Sequence, residues 1–93
     1  MRIIAGEFKG RIIESPSEKT TRPTTDRVRE SIFSSIYSRL PELADVDVLD
    51  AFAGSGALGI EALSRGAHGC TFIERDRVAR DVLEHNLASL SLK

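Results

Sequence analysis

The feature that most limits how this chain can fold is a short β-branched run ending in a glycine turn that opens into a helical stretch. Val46-Asp47-Val48-Leu49-Asp50 reads as a strand, and Ala51-Phe52-Ala53-Gly54-Ser55-Gly56 follows as the turn. Ala57 to Arg65 then reads as a helix with Gly66 as its C-cap. Cys70-Thr71-Phe72-Ile73-Glu74 is a second strand, and Asp76 is placed to cap a last helix whose Val78, Val82, Leu83, Leu87 and Leu90 share a face. The order β-α-β-α predicts parallel strands joined by a right-handed crossover, hence an α/β layer structure.

Upstream of this unit the pattern is different. Arg2-Ile3-Ile4-Ala5 and Gly10-Arg11-Ile12-Ile13-Glu14 flank Gly6-Glu7-Phe8-Lys9 as a β-hairpin with glycines at the reversal. Residues 15–23 are a polar loop bounded by prolines, and 1–23 is read as a hairpin-and-loop unit preceding the α/β part at 24–93. Pro23-Thr24-Thr25-Asp26 opens a helix in which Val28, Ile32, Ile36 and Leu40 recur every four residues beside Phe33 and Tyr37; Pro41 stops it. Residues 1–40 carry eight Lys/Arg against five acids, a balance of +3, and residues 41–93 carry five against nine, −4. A polyanion would therefore meet the front of the chain, with ordinary surface scatter as the alternative.

Gly54-Ser55-Gly56-Ala57-Leu58-Gly59 matches G-x-G-x-x-G in the strand–turn–helix context that motif requires. Glu74 lies 20 residues beyond Gly54, at the end of the second strand, where an acid accepts ribose hydroxyls. The pattern thus expects an adenosine cofactor. Asp50 chooses between cofactors. At the end of the first strand it should point into the crevice, where a pyrophosphate would face an uncompensated negative charge. S-adenosylmethionine has no phosphate and carries an ammonium and a cationic sulfur, so the same carboxylate favours it. The spacing D-x-F-x-G-x-G is also longer than in dinucleotide folds. Two alternatives stay open: a nicotinamide or flavin cofactor, and glycines that only make a tight turn.

These residues resemble a known family, the RsmD-type bacterial methyltransferases that modify guanine N2 in small-subunit ribosomal RNA. The resemblance rests on Arg2-Ile3-Ile4-Ala5-Gly6, Lys9-Gly10-Arg11, Arg22-Pro23-Thr24-Thr25-Asp26-Arg27-Val28-Arg29-Glu30, Asp50 through Gly59, Glu61 through Gly66, and Phe72-Ile73-Glu74. It implies a Rossmann-like S-adenosylmethionine-dependent methyltransferase fold, here an incomplete parallel sheet preceded by the hairpin and a helix. It implies that Asp50, Phe52, Ala53, Gly54, Ser55, Gly56 and Glu74 surround the cofactor, with Arg75 near the adenine. It implies further that Arg2, Lys9, Arg11, Arg22 and Arg27 help hold ribosomal RNA, a salt-dependent contact. The family's Asp/Asn-Pro-Pro-aromatic motif, which clamps the guanine, has no counterpart: Pro16, Pro23 and Pro41 stand apart. No catalytic residue is therefore assigned within the chain, which is read as the cofactor-binding half of a longer enzyme. A non-catalytic RNA- or cofactor-binding fragment is the alternative.

At 93 residues the chain makes one small domain with a thin stability margin. Its single cysteine, Cys70, fits a reducing cytosol, and no apolar run is long enough to cross a membrane, so a cytoplasmic location is expected. His68 and His85 have no metal-ligand partners at useful spacing, so no metal is expected. Asp26, Arg27, Arg29 and Glu30 read equally as a solvated helix face laced by i,i+3 and i,i+4 pairs.

Overall fold

The structure, a computed structural model, describes residues 1–14, 26–40 and 42–92. Its elements are α1 (Asp26–Tyr37), β1 (Asp47–Ala51), α2 (Ala57–Ser64), β2 (Gly69–Ile73) and α3 (Arg77–Ser89). β1 and β2 pair in parallel, with Asp47 opposite Gly69 and Ala51 opposite Ile73, as the alternation of strands and helices predicts. Both strands sit one residue from their expected bounds, a shift that leaves Glu74 just beyond the end of β2.

The helix punctuation follows local chemistry. Asp76 caps α3, its side chain accepting the Ala79 N–H at 2.8 Å. At the end of α2, Gly66 takes φ +106° and donates to the Leu63 carbonyl at 3.1 Å, while Ala67 donates to the Ala62 carbonyl at 3.1 Å. That pair of bonds is a Schellman stop, which a glycine at positive φ permits. The start of α1 at Thr24 and Thr25, and its stop at Pro41, lie outside the described residues.

The N-terminal segment turns back on itself through one antiparallel bridge, Arg2 opposite Ile12, flanked by bonds from Ile3 N–H to Arg11 O and from Gly10 N–H to Ile3 O. The pairing stays this short because the next amides are spoken for elsewhere. Ile4 and Ala5 donate to the two carboxylate oxygens of Glu61 on α2, at 2.9 and 3.1 Å. Gly6, at φ +89°, lies so close to the end of α2 that a Cβ there would fall 1.9 Å from the Ser64 carbonyl oxygen. Glu7 donates to that same oxygen, and the Ser64 hydroxyl accepts from Phe8 N–H and donates to Ala5 O. The segment is thus sewn onto α2, with Ile3 and Ile13 buried against Ala57, Ile60 and Leu90.

α1 turns inward only part of the face its apolar spacing predicts, with Ile36 and Tyr37 packed beside Phe33. Val28, Ile32 and Leu40 are exposed, whereas Arg29 and Phe33 are buried. The reason is electrostatic. Arg29, 1% exposed, reaches Asp26, the Arg2 carbonyl and the Glu61 carboxylate, and the Arg65 guanidinium lies over the Phe33 and Tyr37 rings at 4.6 and 5.5 Å. These contacts fix the 29-33-37 row against α2. Arg29 is therefore no part of a solvated face. On α3 and at its C-cap, Leu83 and Leu90 are buried and Leu87 packs against the core as the spacing predicts, while Val78 is exposed and Ala79 and Asn86 join the buried face. Among the described residues no helix is long and apolar enough to cross a membrane.

Candidate functional site

The glycine turn is built from bonds that leave it little freedom. Ala53 N–H donates to the Ile73 carbonyl at 2.8 Å, and Gly56 N–H to the Ala53 carbonyl at 2.9 Å. The Glu74 carboxylate accepts from Gly54 N–H and from Asp76 N–H, both at 2.7 Å, joining the turn to the start of α3. The Ser55 carbonyl accepts from the Asn86 side chain at 3.0 Å.

Each of the three glycines has its own physical reason. Gly54 sits at φ +59° with nothing within 4 Å of where a Cβ would be, so its backbone faces open space that a ligand could approach. Gly56 sits at φ +88°, and a Cβ there would fall 2.3 Å from Leu83 Cδ1. Gly59 has ordinary helical geometry, yet a Cβ would come within 2.3 Å of the Phe72 ring and 2.7 Å of Cys70 Sγ; it lets α2 close onto β2. Phe52 is the least ordinary residue of the turn. It is a non-glycine at φ +61° and is 93% exposed, a strained position that leaves an aromatic residue bare in the turn.

Asp50 is 8% exposed, and its Oδ2 accepts the Gly59 N–H at 3.0 Å. Gly56, the N-cap of α2, has no side chain to offer, so the strand supplies the capping oxygen from nine residues upstream. Burial pushes the Asp50 carboxyl above its ordinary range; the Gly59 bond pulls it back, and the charge of Glu74 pushes it up further. The end of β1 is thus a desolvated negative site under the turn, suited to a cation.

The residues expected at a cofactor converge: Asp50, Phe52, Ala53, Gly54, Ser55, Gly56 and Glu74 all lie in or against this turn, with Arg75 exposed next to Glu74. The described basic residues expected at RNA have different surroundings. Arg2 and Lys9 line a cavity they share with Asp26 and Glu30. Arg11 instead donates to the Ser89 carbonyl at 2.9 Å, Arg27 is exposed on α1, and Arg22 lies outside the described residues. The family model described as Conserved hypothetical protein 95 matches residues 1–93. The Ribosomal RNA small subunit methyltransferase D of Escherichia coli K12 is 51% identical over 90 residues, covering 97% of this chain and 44% of that protein. The chain belongs to the RsmD-type methyltransferase family.

Two solved structures place the RsmD-type chain in space. The methyltransferase YhhF of Escherichia coli matches at TM-score 0.80 with 47% identity, covering 98% of this chain and 47% of that one. A hypothetical protein of Thermus thermophilus, TTHA0928, matches at TM-score 0.82 with 33% identity, covering 100% and 52%. These relatives support an α/β methyltransferase fold, and the chain spans about half their length. Two further polar residues of this RsmD-type chain escape sequence reasoning, Glu61 and Asn86, both 1% exposed. Glu61 opens a stretch that carries the resemblance with no role assigned to it, Asn86 belongs to no motif, and their partners are largely backbone atoms distant in sequence. His68 and His85 are exposed and lie beside Asp47 and Glu14, at 2.9 and 3.7 Å. Among the described residues no group of three His, Cys, Asp or Glu could hold a metal ion.

Proposed function

We propose that this chain forms the S-adenosylmethionine-binding half of a methyltransferase that acts on guanine N2 of small-subunit ribosomal RNA. The observation that carries the reading is the turn between Asp50 and Glu74, where Gly54 leaves its backbone open to a ligand above a buried carboxylate. The residues fit the donor: Asp50 sets a negative charge against its ammonium and sulfonium, and Gly54 admits close approach. Glu74 spends one lone pair of each oxygen on a backbone amide and keeps others for ribose hydroxyls. Ala53, Ser55 and Gly56 would form part of the wall, and the exposed Phe52 and Arg75 would be available to the adenine. When bound, the cofactor supplies an electrophilic methyl group; the chain's own part is to hold it in line for an acceptor. The name of the Escherichia coli relative, a ribosomal RNA small subunit methyltransferase, supports ribosomal RNA as the acceptor. Arg2, Lys9, Arg11, Arg22 and Arg27 would contribute phosphate contacts. The guanine-clamping motif is absent from these residues, so the chain alone is expected to bind donor without turnover.

Calorimetric titration with S-adenosylhomocysteine and with NADH tests the reading. Saturable binding of S-adenosylhomocysteine with none of NADH supports it. The reverse pattern would replace the methyltransferase reading with a dinucleotide site.

A further inference from the structure

Asn86 is the one side chain whose amide touches both the N-terminal segment and the glycine turn among the described hydrogen bonds. It stands on the inner face of α3, 1% exposed. Its Oδ1 accepts the Glu14 N–H at 2.8 Å and its Nδ2 donates back to the Glu14 carbonyl at 2.9 Å, so the amide pairs with that residue as a neighbouring strand would. The second Nδ2 hydrogen goes to the Ser55 carbonyl at 3.0 Å. Both donors of the group are therefore used, on two main-chain oxygens far apart in sequence.

A buried carbonyl in a glycine turn has few ways to be satisfied, and its orientation fixes the peptide plane that follows it. The Ser55–Gly56 peptide carries the φ of +88° at Gly56 and borders the open side of Gly54. Holding the Ser55 carbonyl therefore holds the turn in the shape that leaves Gly54 accessible.

We propose that Asn86 is a positioning residue for the cofactor turn, setting the Ser55 carbonyl from the backbone of Glu14 and so coupling the N-terminal segment to the donor site. The inference rests on the proposal that this turn holds S-adenosylmethionine. Coupling of this kind is reciprocal: whatever shifts Glu14 shifts donor affinity, and donor binding shifts Glu14.

The experiment is a titration of the isotopically labelled chain with S-adenosylhomocysteine, followed by nuclear magnetic resonance and by calorimetry. The Asn86 side-chain amide and the Glu14 backbone amide should both move as the ligand saturates. Asn86→Asp keeps the acceptor for Glu14 and loses both donors. It should bind about tenfold more weakly, measured at a temperature where circular dichroism shows it as folded as the parent. Binding by the parent with an unmoved Glu14 amide overturns the coupling, and needs no variant to fold. A folded Asn86→Asp with the parent's affinity overturns the positioning role. Absence of binding by the parent overturns the cofactor reading and this inference with it.

Discussion

The carboxylate of Asp50 accepts the backbone N–H of Gly59 at 3.0 Å, so one residue both ends β1 as a buried charge and caps α2. The two roles separate by substitution. Asp50→Asn keeps an acceptor for Gly59 and removes the charge; Asp50→Ala removes both. Because the folded carboxyl holds its proton more tightly than the unfolded one, the wild type loses stability as pH rises from about 3.9 through the folded value. Asp50→Asn should therefore melt higher than wild type at pH 7, with the gap closing toward about pH 4. Relative to Asp50→Asn, Asp50→Ala should lose about 1 kcal/mol of cap, a fall of roughly 4–8 °C. Both should bind S-adenosylhomocysteine at least tenfold more weakly by calorimetry. Wild-type affinity in Asp50→Asn would contradict the assignment of its charge to the cofactor.

Gly59→Ala inverts an ordinary expectation. In an open helix the change gains about 1 kcal/mol of helix propensity. Here the new methyl meets the Phe72 ring at 2.3 Å and Cys70 Sγ at 2.7 Å. Overpacking of this sort costs about 1–3 kcal/mol, so the balance should fall on the destabilising side. Urea unfolding decides it, and a higher midpoint in the variant would show that α2 and β2 separate freely.

Glu61 gathers Ile4 N–H, Ala5 N–H and the Arg65 guanidinium, with Arg29 3.8 Å away. Glu61→Gln puts an amide donor among donors and removes the negative charge that Arg65 and Arg29 both face. Removing one partner of such a set costs about 3–5 kcal/mol, a large part of a small domain's stability. Hydrogen exchange should accelerate at Ile4 and Ala5. A variant that melts within a few degrees of wild type would show that the N-terminal segment is held mainly by its isoleucines.

Burial, with a smaller push from Asp50, raises the Cys70 thiol to about 11. At pH 8 only about one thiol in a thousand is then ionised, against roughly a quarter at an ordinary value of about 8.5. Thiol labelling of the folded chain should run on the order of a hundredfold slower than in urea. Equal rates would place Cys70 in water.

The β-α-β-α unit was legible because its signals are local and agree: the Asp76 cap, the stop at Gly66, and the glycines between strand and helix. The inward face of α1 was legible only in part. Periodicity counts apolar side chains and marks Val28, Ile32, Ile36 and Leu40 beside Phe33 and Tyr37, of which Phe33, Ile36 and Tyr37 pack inward. It could not mark Arg29, whose burial beside Glu61 joins residues far apart along the chain. Asn86 escaped for a related reason: its partners at Glu14 and Ser55 are main-chain atoms, which no side-chain pattern marks. Asp50 was placed correctly at the strand's end, while its bond to Gly59 could be seen only once α2 was in position.

α2 has eight residues, too few to hold its shape alone in water. It holds because both ends are tied to other parts of the chain, the first turn to Asp50 and the last to the turn at Gly6 and Glu7. Clamped in this way it acts as a ruler of about 12 Å between the reversal at Gly6 and Glu7 and the glycine turn. A molecule gripped at one end and a molecule seated at the other would meet at a spacing set by helical rise, with no hinge between them to adjust it.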